Sequence, residues 1–317
     1  MPPSPSRAPE RPWFPMSCHV ALAAGTYVLS KPAALGFASS AALTFARALL
    51  ASAVLLALVA SGWIAAPRFA RRDLLRVLIL GVLLVLNQYV YLHGMKLTVP
   101  GHAPLLYALT PSGVLLVVAL LERRRPPLAQ IGGVALALLG VLVLLRPWQA
   151  GEVAAGLREG DLWIGLAVVL WVAYTVAVRD LVRRYDARAV TAWTLVAGTL
   201  AFAPLGAPTL LAEDLTGFAL DTWLGLLWLA LMTSVAMMLL WNYLLQHLEP
   251  VAVAICANAQ PPATALLAGL LSALGLLAGD PDLGIIFWCG MGLVLAGVAW
   301  VQIAALRERA AQAGART

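Results

Sequence analysis

Long apolar stretches are the feature that most restricts how this chain can fold. Each has roughly the 20 residues that an α-helix needs to cross the hydrocarbon core of a bilayer. They cover residues 16–35, 39–62, 74–95, 99–121, 128–146, 161–179, 189–211, 222–245, 251–278 and 284–304. Only 11% of the 317 residues are charged, whereas soluble domains carry about 25%. The sequence therefore predicts an all-α membrane protein with ten transmembrane helices.

Basic residues in the short connections predict the orientation of the chain. If the N-terminus is cytoplasmic, 16 of the 21 Lys and Arg residues fall in inner segments, 4 fall in outer segments, and Arg47 lies inside a span. Membrane proteins keep most of their basic residues on the cytoplasmic side, so both termini are expected to be cytoplasmic. The same rule accounts for the net charge of +6, and binding to nucleic acid is not expected.

An internal repeat lies at the centre of this pattern. The segment around Pro111 returns about 151 residues later around Pro262, and the same overlay places Tyr107 on Asn258. A proline inside a helix removes a backbone hydrogen bond and bends the helix, so Pro111, Pro261 and Pro262 are predicted kink positions. Interrupted helices at matching positions of two halves are typical of transporters whose substrate site lies between the halves.

Five spans in each half would give the two halves opposite orientations in the membrane. The predicted organisation is a disordered cytoplasmic tail at 1–15, inverted five-helix repeats at 16–146 and 161–304, and a cytoplasmic tail at 305–317. Glu122 and Asp280, which each precede the last helix of a half, are 158 residues apart rather than 151. Seven residues have thus been inserted after Pro262, and the ninth helix is expected to extend beyond the membrane.

The repeated segments also resemble a known family. The first half matches over the stretch from Leu92 to Gly140, with Pro111, Glu122, Gln130, Gly132 and Gly140. The second half repeats the pattern in Trp241, Asn242, Tyr243, Pro262, Gly290 and Gly297, and Lys31 and Arg47 near the start also match. This pattern is similar to that of the EamA domain of the drug/metabolite transporter superfamily, except that Asp280 stands where the second half usually has Gly-Glu. The resemblance implies an inner-membrane carrier that exports metabolites, amino acids or toxic compounds by alternating access. It also implies a cavity formed mainly by helices one, three, four, six, eight and nine.

Polar and aromatic side chains near the middle of the spans are the candidate substrate contacts. A ligand pocket is mostly apolar and aromatic with a few placed polar groups, and a set of residues fits that description. They are Tyr27, Arg47, Asn87, Tyr91, Tyr107, Trp171, Tyr174, Trp241, Asn242, Asn258 and Gln260. Packing in the protein core is the alternative role for the aromatic members.

Three basic residues lie inside or beside the apolar spans. Arg47 is within a span, where a charge costs about 2.5 to 3.5 kcal/mol on insertion scales, so it either contacts substrate or ties helix ends together through backbone carbonyls. Lys31 and Lys96 lie at helix ends, where they either serve the site or extend towards the membrane interface.

The acidic residues predict how transport is driven. All 15 lie at span ends, in connections or in the tails, whereas proton-coupled carriers relay protons through buried Asp, Glu or His side chains. Facilitated export down a gradient is therefore expected. A proton-coupled drug antiporter with His93 or His102 as the proton carrier is the alternative.

An integral-membrane enzyme acting on lipids is a further function class to weigh. Such an enzyme needs clustered polar groups at one membrane face, for example a histidine beside a carboxylate or several acids around a metal ion. The sequence shows no such pattern, and Cys18, Cys256 and Cys289 lack metal-ligand spacing. No catalytic residue, metal or cofactor is expected. The predicted partners are a small-molecule substrate and the lipid bilayer, with the protein a monomer or weak homodimer.

Overall fold

Helices dominate the molecule. The computed structural model describes residues 13–66, 69–99, 101–123, 127–145, 158–254, 256–275 and 284–314, and within these ranges it contains no strand. The α-helices are α1 (Trp13–Gly36), α2 (Ser40–Ala60), α3 (Arg71–Leu97), α4 (His102–Tyr107), α5 (Thr110–Leu121), α6 (Leu128–Leu145), α7 (Glu159–Arg184), α8 (Ala187–Leu211), α9 (Leu220–Leu227), α10 (Met238–His247), α11 (Pro250–Ala254), α12 (Cys256–Ala273) and α13 (Ile285–Gly314). A 3₁₀-helix, Leu215–Gly217, precedes α9, and a π-helix, Trp228–Met237, joins α9 to α10.

Seven helical segments within the described ranges are long and apolar enough to cross a membrane. They are Ser40–Ala60, Arg71–Leu97, His102–Leu121, Glu159–Arg184, Ala187–Leu211, Leu220–His247 and Pro250–Ala273. Leu128–Val143 and Ile285–Val301 are shorter apolar helices. The all-α fold class is confirmed and the molecule is a multi-pass membrane protein, while the count of ten membrane-spanning helices stays a prediction.

Both segments predicted as tails contain some helix. α1 begins at Trp13, inside the predicted N-terminal tail, and residues 1–12 lie outside the described ones. α13 continues to Gly314, past the predicted end of the last span at residue 304. That extension is rich in Ala, Arg, Glu and Gln, which are strong helix formers, so the helix does not end where the apolar residues end.

The helix that carries Pro111 is interrupted just before that residue. α4 ends at Tyr107 and α5 begins at Thr110, with Pro111 in its first turn. The interruption falls there because Pro111 has no N–H to donate to the carbonyl four residues earlier, that of Tyr107. In the second half Pro261 and Pro262 lie inside α12, which remains helical through both.

The predicted extension of the ninth helix is wrong. α12 ends at Ala273, eleven residues after Pro262, much as α5 ends at Leu121, ten residues after Pro111. A turn follows, in which Gly275 has a φ of 68°, a left-handed conformation that glycine adopts after a helix without steric cost. The extra residues of the second half therefore follow this helix instead of lengthening it.

Glycines allow two pairs of helices to approach closely. α3 crosses α8 at Gly81 and Gly198, where a Cβ atom on Gly81 would lie 2.6 Å from the backbone nitrogen of Gly198. α6 and α13 meet in a similar way, since a Cβ atom on Gly133 would lie 2.8 Å from the carbonyl oxygen of Gly297. Small residues at such crossings let membrane helices pack backbone against backbone.

Candidate functional site

A cavity of about 70 Å³ lies where α1, α2, α3, α4, α7, the π-helix, α10 and α12 come together. Seven of the predicted substrate contacts belong to its lining, namely Tyr27, Arg47, Asn87, Tyr91, Tyr107, Trp171 and Gln260. None of the lining residues that the structure describes comes from α6 or α13. The cavity therefore gathers side chains from both halves of the chain.

Three tyrosines form one wall of the cavity. The ring of Tyr107 lies 6.0 Å from that of Tyr27 and 5.9 Å from that of Tyr91, and the rings of Tyr27 and Tyr91 are 6.3 Å apart. All three pairs meet edge to face, an arrangement that aromatic rings favour. The Tyr27 hydroxyl donates to Oε1 of Gln260 at 2.9 Å, and the hydroxyls of Tyr91 and Ser30 share a hydrogen bond of 2.9 Å. These contacts fix the rings in place.

Asn87 links the tyrosine wall to the opposite helix. Its amide nitrogen donates to the hydroxyl oxygen of Tyr107 at 3.2 Å and to the carbonyl oxygen of Ala167 at 2.7 Å. Ala167 belongs to α7, one turn before Trp171, whose indole lines the cavity. One amide therefore sets the relative position of α3, α4 and α7 at the cavity.

Arg47 brings a charge into the lining. Its side chain is on α2 and the residue is only 3% exposed. Nε of Arg47 donates to the hydroxyl oxygen of Ser234 at 2.9 Å, and that hydroxyl donates to the carbonyl oxygen of Leu229 at 2.9 Å. Ser234 and Leu229 are five residues apart on the π-helix, a rare structure that is frequent at functional sites. The π-helix thus supplies the hydroxyl that holds the guanidinium.

The π-helix also packs tightly on α1. The hydroxyl oxygens of Thr26 and Thr233 are 2.6 Å apart, and Nε1 of Trp228 donates to the hydroxyl oxygen of Thr26 at 3.4 Å. Gly25 leaves room for that indole, because a Cβ atom at this position would lie 2.2 Å from a ring carbon of Trp228. A substitution at Gly25 would therefore displace the Trp228 indole from α1.

Four predicted substrate contacts lie outside the cavity lining. Tyr174 and Asn242 are fully buried and bonded to each other, and the Asn242 amide also donates to a threonine hydroxyl of α8 at 2.8 Å. Trp241 is 1% exposed, with its ring 5.0 Å from that of Trp171. Asn258 is partly buried, and its Oδ1 atom has no hydrogen-bond partner among the described residues. Tyr174, Trp241 and Asn242 are therefore core residues behind the cavity wall.

Several lining residues were not expected from the sequence. His19 and Gln88 are 1% and 4% exposed and line the cavity from α1 and α3. Helical spacing would have identified both, because Gln88 shares a helix face with Tyr91 and His19 shares one with Tyr27. Thr233 and Met237 belong to the π-helix, and Met238 is the first residue of α10. The α-helical period does not describe the π-helix.

Lys31 and Lys96 hold the ends of two helices together. Nζ of Lys31 donates to the carbonyl oxygens of Met95, Lys96 and Thr98 at 2.7, 2.9 and 2.7 Å. Nζ of Lys96 in turn donates to two carbonyl oxygens just beyond α1, at 2.5 and 2.7 Å. The last carbonyls of a helix lack partners within that helix, so each lysine satisfies the end of the other's helix. Neither lysine is in the described cavity lining.

His93 and His102 are also absent from the described lining. Nδ1 of His102 is 3.0 Å from Oδ1 of Asp161, which also accepts a hydrogen bond from the Thr98 hydroxyl. Nδ1 of His93 is 3.4 Å from the hydroxyl oxygen of Ser40. Asp161 thus ties the first turn of α7 to the connection between α3 and α4. The role of either histidine as a proton carrier stays a prediction.

The last turns of α7 carry a second set of charged contacts. Arg179 and Arg183 both bond to Glu249, which lies between α10 and α11, and the Arg183 contact is 3.0 Å. Partial burial would raise the pKa of the Glu249 carboxyl, but the hydrogen bond from Arg183 and the charges of both arginines outweigh it and hold that pKa below its usual value. Arg184 bonds to Asp73 in the first turn of α3 at 3.1 Å. These contacts lie at the opposite end of α3 from Lys31.

Both the sequence and the fold have similar counterparts among known proteins. Residues 13–146 and 158–303 each match the model of the EamA-like transporter family. An uncharacterized transporter of Archaeoglobus fulgidus is 28% identical over 229 residues, which cover 71% of this chain and 77% of the relative. The uncharacterized transporter YyaM of Bacillus subtilis is 22% identical over 244 residues, covering 76% of this chain and 80% of the relative. A protein of known crystal structure is similar in fold, with a TM-score of 0.65 and 20% identity over 93% of this chain and 98% of that one.

Proposed function

This chain belongs to the EamA-like transporter family, and from that premise we propose that it exports small organic metabolites, such as amino acids, across the inner membrane by alternating access. A membrane transporter is what the family and the similar proteins indicate. The substrate, the direction and the mechanism are our proposal. Its main support is the cavity, which is lined from both halves of the chain and contains a buried cation.

Equivalent helix contacts in the two halves support an inverted repeat. If α1 corresponds to α7 and α3 to Leu220–His247, the packing of α3 on α7 has its counterpart in the packing of α1 on α9 and the π-helix. α2 packs against its own counterpart α8, and α6 against its own counterpart α13. Contacts that exchange in this way are expected of two copies related by a twofold axis. Two five-helix copies in one membrane would be inverted, as in many secondary transporters.

The cavity has to enlarge for a substrate to bind. Its volume of about 70 Å³ is well below the roughly 300 to 1,000 Å³ of most ligand pockets. Asp161 ties one end of α7 to α3 and α4, and Arg179 and Arg183 tie the other end to Glu249. Opening at either end would break one of these sets while the other holds. One set of contacts at each end of α7 fits a carrier that opens at the two ends in turn, as alternating access requires.

The cavity lining favours facilitated export over proton coupling. None of the described lining residues is Asp or Glu, and of the Asp, Glu and His side chains that relay protons in membrane carriers the described lining contains only His19. We therefore expect flux to follow the gradient of the substrate itself. Removal of the pH gradient should leave the rate of transport unchanged.

Flux through proteoliposomes tests the proposed function. With a panel of radiolabelled amino acids, the purified protein should show saturable uptake and counterflow that persist when an ionophore removes the pH gradient. Tyr107→Ala should abolish this flux, because it removes a ring and a hydroxyl from the cavity wall. Asn258→Ala changes a residue outside the described lining and serves as the matched control, which should retain most of the flux.

Three results would count against this function. Wild-type protein without saturable flux for any solute, or Tyr107→Ala with unchanged flux, contradicts transport through this cavity. Turnover of a lipid substrate without flux would favour a membrane enzyme instead. Dependence of flux on the pH gradient would leave transport standing and replace facilitated export by proton coupling.

The proposed orientation can be tested separately. Single cysteines placed beside Trp13 and Gly314, in a background without Cys18, Cys256 and Cys289, should both resist a membrane-impermeant thiol reagent in intact cells. Both should react after the cells are permeabilised. Labelling of only one of the two sites in intact cells would show that the termini lie on opposite faces and would reject the inverted repeat of five helices.

A further inference from the structure

Arg47 is a buried cation with very little local compensation. The residue is 3% exposed, and its single hydrogen bond to the described part of the chain runs from Nε to the Ser234 hydroxyl. The two terminal nitrogens of the guanidinium, which carry four of its five N–H donors, have no acceptor among the described residues. A guanidinium is always charged in proteins, and Arg47 lines the cavity, so these donors are available to a ligand there.

The cavity lining does not neutralise this charge. Its described residues include no Asp or Glu, and the ionisable side chains that line it beside Arg47 are those of His19, Tyr27, Tyr91 and Tyr107. The arginines elsewhere in the molecule contrast with it, since Arg179 and Arg184 each bond to a carboxylate. A buried charge without a partner is costly in an apolar environment. A ligand that brings one negative charge would remove that cost.

Other side chains of the lining indicate which kind of group the remainder of such a ligand would carry. Trp171, Met237, Met238 and Leu84 are apolar or aromatic. The Trp171 ring is held from behind by Trp241 at 5.0 Å. A fixed indole and flexible thioethers suit a flat or bulky apolar group. The described lining therefore combines one guanidinium with several apolar and aromatic side chains.

We propose that Arg47 binds the carboxylate of a substrate that carries one anionic group on an apolar, preferably aromatic, body. The guanidinium fork matches a carboxylate in two parallel hydrogen bonds, and its terminal nitrogens are the ones without partners here. The body lies against Trp171 and the two methionines. This inference rests on the proposed transport function and names the substrate class for the same cavity.

Binding of three matched probes tests the inference. Phenylacetate, phenylacetamide and phenethylamine share one apolar body and carry a negative, a neutral and a positive head group. Isothermal titration calorimetry on the purified protein in detergent should show phenylacetate binding at least about tenfold more tightly than phenylacetamide, with phenethylamine weakest. A wild-type protein that binds none of the three, or that binds the amide or the amine as tightly as the acid, overturns the inference.

Variants of Arg47 test whether this residue causes the preference for phenylacetate over phenylacetamide. Arg47→Gln should lower the affinity for phenylacetate to that of phenylacetamide, and Arg47→Lys should keep part of the preference because it retains the charge without the fork. Arg72→Gln removes an exposed charge of α3 and should change nothing. An unaltered preference in Arg47→Gln would overturn the inference. If that variant does not fold, the order of the three probes with the wild type still decides.

Flux separates this inference from the proposed function. Selective binding of phenylacetate without transport of any solute would contradict the transport function and leave the anion site standing. Saturable flux of neutral or cationic solutes, equal in the wild type and in Arg47→Gln, would leave transport standing and reject the anion site.

Discussion

Lys31 and Arg47 are both cations in the helical bundle, and they are satisfied in opposite ways. Lys31 lies near the end of α1, where the free carbonyls at the end of α3 offer it three acceptors. Arg47 lies two turns inside α2, where the neighbouring backbone carbonyls already accept hydrogen bonds within the helix. Its hydrogen bond to the described part of the chain goes to the Ser234 hydroxyl. The position of Lys31 is thus explained by the backbone carbonyls at the end of α3, which need a donor from outside their own helix. The charge within a helix, which has further donors available, is the one from which we infer a ligand.

Loss of Lys31 should have the largest effect on stability. Lys31→Met leaves three carbonyls without their charged donor, so the free energy of unfolding should fall by about 3 kcal/mol. Unfolding titrations in mixed micelles with increasing dodecyl sulfate would measure it. Binding of phenylacetate to the folded variant should be unchanged. If Lys31→Met instead has normal stability but no longer binds phenylacetate, Lys31 acts in ligand binding as proposed for Arg47, and the contrast between the two residues is wrong.

Loss of Lys96 should cost less, because this ammonium satisfies two carbonyls and not three. For Lys96→Met we expect a decrease of about 2 kcal/mol in the free energy of unfolding. The double variant with Lys31→Met should lose less than the sum of the two single losses, since both lysines hold the same junction. Strict additivity in this double-mutant cycle would show that the two lysines act independently.

Arg47→Met should change stability in the other direction. Replacing a poorly compensated buried charge by an apolar side chain of similar length is neutral or stabilising, so we expect a gain of about 1 kcal/mol. The same dodecyl sulfate titration measures it, with Lys31→Met as the reference. If Arg47→Met is instead destabilised as much as Lys31→Met, then Arg47 is a structural residue.

The smallest expected effect on stability is that of Arg179 and Arg183, which have Glu249 as an acidic partner. The pKa of Glu249 lies below its ordinary value of 4.5, so this pair stabilises the folded state above about that pH and loses its effect as pH falls through the lowered pKa. The side chain of Glu249 is 42% exposed, so the contribution should stay below about 1 kcal/mol. Unfolding measured from pH 7 to pH 3 should be less pH-dependent in Glu249→Gln than in the wild type. Identical profiles would mean that the pair contributes nothing.

Helix positions could be predicted from the sequence because runs of apolar residues at the length of a bilayer leave few alternatives. The helix ends were harder, since α1 begins at Trp13 within a proline-rich segment, and α13 continues past residue 304 through several polar and charged residues. The length of the helix after Pro262 was misjudged because an insertion found by overlay does not say whether it falls in a helix or after it. The turn at Gly275 ends the helix, and the overlay of the two halves contains no information about that turn.

The candidate site was predictable where helices are regular. Asn87 and Tyr91 share a face of α3 and line the cavity together. The π-helix breaks that regularity, so Thr233 and Met237 were missed, while Trp241 and Asn242 were expected at the cavity and lie behind it. The role of Lys31 was beyond a sequence argument, because its three acceptors are backbone atoms of a different helix.

The π-helix has a consequence for how homologous chains can differ in length. A π-turn holds more residues than an α-turn, so a chain shortened by one residue within Trp228–Met237 could close up into an ordinary helix without becoming too short for the bilayer. The side chains within the segment would then take new positions around the helix, because each residue of an α-helix turns the chain by about 100°. Ser234 would then move away from the guanidinium. A one-residue gap in this segment would therefore mark relatives in which a different side chain lies beside the guanidinium.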